Sequence, residues 1–187
     1  MAPSDSRTGL AAILAGALIF AGQCGELIFG SSSDLVGAVF VGLWISGIVA
    51  LGVALWGLRD MIAGSRIGRI GMRLALAGFG LLGLFSVQVV AELIRTGDIP
   101  ENFILFALGF LLVLVGQLLF ARDLRPTLGH GWLLPIVGVI GLVVGLAVDV
   151  DPIHDVGLFV FEGAWIGLGV ALLRLEQPEA DTAPVPA

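Results

Sequence analysis

Three carboxylates of this chain stand inside or at the ends of long apolar runs, two of them accompanied by amides. Glu26 follows Gln23 by three residues and Glu92 follows Gln88 by four, spacings that put each amide on the helical face of its carboxylate. Glu162 has apolar residues before it and Gly163, Ala164 and Trp165 after it. A carboxylate in a lipid-embedded helix costs about 2.5–3.5 kcal/mol at mid-depth, so it faces protein or water and has a partner. Two kinds of chemistry suit such a group: holding a cation against its charge, or exchanging a proton. The ligand- or ion-binding candidates are therefore Glu162, Glu26, Glu92, Gln23 and Gln88. Glu162 is the deepest, about 10 Å down its helix at the usual rise, while Glu26 and Glu92 lie about one turn from a boundary. The bland alternative is that Glu26 and Glu92 reach the interface and Glu162 hydrogen-bonds a neighbour such as Gln88.

Beyond these, residues 149–155 supply three aspartates and His154, an external loop that would concentrate cations over an outward vestibule. It lacks the mid-loop glycine and terminal glutamate of a calcium loop. Gln117 is read as a hydrogen-bonding group between helices. The two histidines, His130 and His154, fall in loops on opposite sides of the membrane, so they form no common metal site. No Gly-x-Ser-x-Gly elbow, His-Glu-x-x-His pair or phosphate-binding glycine loop is present, and no catalytic residue or cofactor is expected. An acidic, apolar chain gives no support for nucleic-acid binding.

The elements that must position these residues are membrane helices. The chain is 58% hydrophobic and 13% charged, where a soluble domain is about half apolar and about a quarter charged. Six runs approach the roughly 20 residues needed to span hydrocarbon: 9–29, 35–58, 67–94, 102–121, 132–148 and 156–173. The fifth is the shortest and carries Pro135. Ser31 to Asp34 offers caps for the second helix, and Pro100 with Glu101 suits the first turn of the fourth. Residues 1–8 and the Pro/Ala-rich acidic stretch 176–187 read as disordered flanks of a transmembrane domain over 9–175. The first run reads as a retained helix, since Gln23 spoils both a lipoprotein-type cysteine box and a small-x-small cleavage site. Cys24 is the only cysteine, so no intrachain disulfide can form.

Orientation follows from the arginines, which are the only basic side chains besides histidine. With the N-terminus inside, Arg7, Arg59, Arg66, Arg69, Arg73, Arg122, Arg125 and Arg174 are cytoplasmic and only Arg95 is external. Both termini are thus expected inside, with Trp56 and Trp132 at the inner boundary. The absence of Lys and Tyr and the single Asn suggest a GC-rich coding sequence and a bacterial plasma membrane.

Packing is read from small residues. Ala38, Gly42, Ser46, Ala50 and Ala54 recur every four residues on the second helix, with Gly141 and Gly145 on the fifth and Gly163, Gly167 and Ala171 on the sixth. Helices in lipid associate by close van der Waals contact, which such stripes permit. The stripe on the second helix is expected either to pack the bundle or to join a second copy or a partner membrane subunit. A weak repeat with a period of two helices is also visible, Gly-Glu-Leu-Ile at 25–28 answering Ala-Glu-Leu-Ile at 91–94.

The expected fold is all-α, one six-helix transmembrane bundle. In size and number of spans it resembles the substrate-binding membrane subunits of vitamin uptake systems, a likeness of helix count and length carried by no particular residues. The expected function is a small permease or solute-binding membrane subunit that uses outward-facing carboxylates for a cation or proton. The alternative is a non-catalytic accessory or scaffold protein.

Overall fold

The computed structural model describes residues 6–29, 35–62, 64–97, 102–147 and 151–176 of the chain. Among them every regular element is helical: α1 Ser6–Phe29, α2 Leu35–Ile62, α3 Arg66–Thr96, α4 Ile104–Ala121, the four-residue α5 Arg125–Leu128 flanked by 3-10 turns, α6 Leu134–Ala147 and α7 Asp151–Glu176. Five stretches of the described residues are long and apolar enough to cross a membrane. The fourth of these, Ile104–Gly145, takes in α4, α5 and α6 together.

Helix neighbours run antiparallel. Gly57 of α2 lies against Thr8 near the start of α1, and Gly22 near the end of α1 lies against Phe40. The same reversed pairing joins Gly71 and Gly78 of α3 to Gly116 and Gly109 of α4. It recurs between α6 and α7, where Gly141 meets Gly157 and Leu134 meets Gly167, and between α1 and α7, where Gly9 meets Gly169. One end of the bundle therefore collects the starts of α1, α3 and α6 and the ends of α2, α4 and α7. All eight arginines other than Arg95 lie towards that end. There Arg59 stacks 5.2 Å over the exposed Trp56 ring and Arg125 lies 5.9 Å over Trp132.

Close approach, rather than polar contact, holds the hairpins. A methyl group built on Gly116 would fall 2.5 Å from the Gly71 carbonyl oxygen, and one on Gly78 2.5 Å from the Gly109 carbonyl oxygen. Only hydrogen fits at these points, so the backbones of α3 and α4 touch at two places two turns apart. The centre is filled by Leu55, Leu58, Phe120, Leu168 and Leu172, all buried.

Turn chemistry fixes the ends. Ser65 Oγ accepts the Gly68 N–H at 2.9 Å, capping α3, while its hydroxyl donates to Asp123 Oδ2 at 2.5 Å. This clasp ties the α2–α3 turn to the segment after α4. Gly97 ends α3 in the left-handed conformation at φ 80°, its N–H donating to the Leu93 carbonyl. Asn102 Oδ1 accepts the Ile104 N–H at 3.0 Å at the start of α4. Residues 31–34, 100 and 101, read above as cap residues, lie outside the described residues.

Three expectations need adjustment. Helix α1 begins at Ser6, and the buried Thr8 belongs to the bundle rather than to a polar leader. Helix α7 begins at Asp151, so residues 151–155 are its opening turns and not a loop; a proline in a first turn fits a helix start. The α2 stripe is not one packing face. Ala54 is buried and Ala50 packs against the core, but Gly42 and Ser46 are exposed, and the face that meets α1 instead carries Gly47. The side chain of Ala38 lies outside the described residues.

Gly116→Leu is therefore expected to lower stability by about 1–3 kcal/mol through overpacking, and Gly42→Leu to change it by no more than about 0.5 kcal/mol. Thermal unfolding of both variants in detergent checks this; equal losses would place the Gly42 edge inside the bundle.

Candidate functional site

Glu162 is the most deeply placed ionisable group among the described residues, 1% exposed. It lies eleven residues after the start of the 26-residue α7, about 16 Å along the helix and close to its middle. The face that carries it meets α1. Gly16 approaches the Glu162 backbone carbonyl, and one turn nearer the far end the Phe20 and Phe159 rings lie 5.1 Å apart. Without a side chain at Gly16, α1 can sit close enough to bury this turn of α7 completely.

The carboxyl group has an unmet need. Its Oε2 is buried with no hydrogen-bond partner among the described residues. Gln23 continues the Gly16–Phe20 face of α1 at the next turn, by the helical spacing, and its Nε2 is likewise buried without a partner. The two groups do not bond one another, since Gln23 stands about 10 Å along α1 from the level of Gly16. Buried polar atoms are nearly always satisfied, and leaving one unpaired costs about 1–3 kcal/mol. An orphaned acceptor at mid-bundle and an orphaned donor nearer the end away from the arginines thus stand along the α1–α7 interface. A cation against the carboxylate or a proton on it would answer the first need.

The other candidates stand elsewhere. Glu92 sits near the end of α3, accepting from Arg95 Nε at 3.0 Å and Nη2 at 2.7 Å. This is a local i,i+3 pair, with Arg95 in the last turn where a cation complements the helix dipole. Gln88 is half-buried one turn earlier on the same helix. Helix α3 packs on α4 and α2, whereas α7 packs on α1 and α6, so Gln88 is not brought to Glu162 as a partner. The five candidates thus fall into two groups, Gln23 with Glu162 and Gln88 with Glu92. Glu26 lies in α1 three residues beyond Gln23, but its side chain is outside the described residues, as is that of His154. Asp155 is half-buried and His130 is exposed at the arginine end. Among the described residues no group of three or more His, Cys, Asp or Glu could hold a metal ion.

Gln117 departs most from expectation. It is completely buried on α4, and neither Oε1 nor Nε2 has a partner among the described residues, so the interhelical bond read for it is not made. Its neighbour Gly116 meets Gly71, which places it towards the arginine end rather than at the level of Glu162. Sequence reading also missed the Ser65–Asp123 clasp, because a separation of 58 positions between the partners hides it. The Gly71–Gly116 and Gly78–Gly109 contacts were missed as well, although a seven-residue glycine spacing on each helix is the signal that could have found them. An aromatic group of Trp44, Phe85, Phe103, Phe106 and Phe110 fills the meeting of α2, α3 and α4, and its members, from three separate runs, carry no shared local pattern.

No protein-family model matches the chain, and comparisons with curated proteins and with solved structures find no similar sequence or fold.

If Gln117 is as unpaired as its surroundings make it, Gln117→Leu removes two orphaned polar atoms at similar volume. Stability should then rise by about 1–3 kcal/mol. A lower unfolding midpoint for this variant would mean that the amide has a partner in the native protein.

Proposed function

We propose that the chain is a small membrane permease, or the solute-binding membrane subunit of an uptake system, in which Glu162 takes up a cation or a proton. The observation that carries this reading is the mid-bundle carboxyl group with Oε2 buried and unpartnered. In a membrane bundle an ionisable group so placed is expensive, and its common use is a substrate or ion path or a proton relay. Gln23, nearer the end of the same interface away from the arginines, would receive the solute first. Glu26, next on α1, would draw cations to it.

The topology belonging to this reading has six spans, with α4 and α6 crossing separately and residues 122–133 between them on the side of Arg59 and Arg66. The arginine end faces the cytoplasm of a bacterial plasma membrane, and both termini lie there. In a Cys24→Ala background, Thr127→Cys and Gly64→Cys should be labelled by a membrane-impermeant thiol reagent from the cytoplasmic side only. Labelling of Thr127→Cys from the other side would leave five spans.

A second reading, an accessory or scaffold protein, has its own support. The core among the described residues is apolar from Leu51 and Leu55 to Leu168 and Leu172, and the buried Glu162 and Gln117 form no hydrogen-bonded network. The exposed edge at Gly42 and Ser46 would suit close approach of another helix, from a second copy or a partner subunit.

Proteoliposomes separate the two. On the first reading Glu162→Gln, which keeps shape but not titration, abolishes pH-dependent or cation-dependent uptake and leaves the unfolding midpoint nearly unchanged. On the second, no uptake is seen with either protein, and the substitution is silent or slightly stabilising because a costly buried charge is gone. Wild-type levels of uptake by Glu162→Gln would remove Glu162 from any transport role.

A further inference from the structure

We infer that the outward ridge of α3 binds an anionic phospholipid, its phosphate held by Arg66 and Arg73 and an acyl chain lying along the apolar strip beyond them. Residues 66, 69, 73, 77, 80, 84 and 87 recur at steps of three or four, which is one helix face, and all are exposed. Gly68, Gly71, Ala75, Gly78 and Leu82 form the opposite, buried face. The arginines therefore do not look into the bundle. They head its outermost ridge.

Depth decides what they can meet. Helix α3 has 31 residues, about 46 Å at the helical rise, against a hydrocarbon thickness of about 30 Å. Its apolar part, from Leu74 towards Ile94, fills that thickness by itself and leaves Arg66, Arg69 and Arg73 in the headgroup layer. Membrane orientation needs basic residues only in the segments between spans. Arg73 stands seven residues inside the helix on the lipid-facing ridge, where a lipid headgroup is the nearest anion.

Neither Arg66 nor Arg73 forms an ion pair among the described residues, whereas Arg59 pairs with Asp60 and Arg95 with Glu92. A guanidinium fork matches the oxygens of a phosphate, and a pair two turns apart on one face can take it from both sides. Directly beyond Arg73 the ridge is low, with Ala77 and then Gly80, where an added Cβ would meet nothing within 4 Å. Leu84 and Val87 continue it as apolar surface. A free phosphate would need only the arginines. The low apolar strip that continues below them favours a headgroup with a chain attached.

The test uses the full chain in nanodiscs made from equal parts of phosphatidylglycerol and phosphatidylcholine, then native mass spectrometry to count retained lipids. Wild type should retain phosphatidylglycerol in preference. Arg66→Gln with Arg73→Gln should cut the preference by about fivefold per arginine replaced. Arg59→Gln, also at the arginine end but paired with Asp60, should leave it unchanged, and excess inorganic phosphate should not displace the lipid. Equal retention of the two lipids by wild type would overturn the inference without recourse to any variant. So would a wild-type preference in the double variant, loss of the preference in Arg59→Gln, or displacement by phosphate.

Discussion

The close approach of helix backbones at glycine is the constraint on which this structure depends. In an apolar solvent each helix satisfies its own backbone hydrogen bonds, and no hydrophobic gain rewards burying one leucine against another in place of a lipid tail. What remains is contact area, which rises steeply when two backbones touch. Gly71 with Gly116 and Gly78 with Gly109 make one such seam, Gly141 with Gly157 a second, and Gly9 with Gly169 a third. These seams set the antiparallel neighbours, and the neighbours set which end of the bundle each polar residue occupies. Even the burial of Glu162 follows from them, because Gly16 lets α1 close over its turn.

A second ordering principle acts at the ends, where the helices stop and their charges collect. Asp123 lies beside the start of α3, where a carboxylate complements the positive end of the helix dipole, and the Ser65 hydroxyl joins it to the cap. At the other end Arg95 and Glu92 neutralise each other over the last turn. The bundle is thus electrically uneven along its length, with every arginine but Arg95 towards one end. That unevenness comes from helix direction combined with a few caps, and it needs no charge within the core.

Much of this was legible in the sequence because apolar run length is a strong signal. The beginnings of α2, α3 and α4 fall within two residues of the expected ones, and the fifth run appears as the short α6. The start of α7 was not legible, because Asp151, Pro152 and Asp155 read as loop chemistry, although aspartate and proline equally open a helix. The α2 stripe misled for a different reason. Four-residue spacing drifts around a helix with 3.6 residues per turn, so Ala54 can be buried while Gly42 faces outward. Small residues show where a helix could be approached, but not by which neighbour. That choice rests on the matching seam across the gap, which no single helix displays.

The depth of Glu162 was legible in the sequence, and its lack of a partner among the described residues was not. Sequence reading looked to Gln88 because both are polar and deep, yet α3 is held to α4 by its two glycine contacts and turned away from α7. The same seams that make the bundle compact therefore isolate the carboxyl group. An isolated acceptor in an apolar bundle is met by a proton, a cation or water, and among the described residues no donor lies beside its Oε2. A bundle selected for stability alone would carry leucine or glutamine there, because replacing a buried charge by a residue of similar volume is commonly neutral or stabilising. Packing gains nothing from a titratable group at this position, and the α1–α7 interface holds it at mid-bundle rather than at either end of the helices.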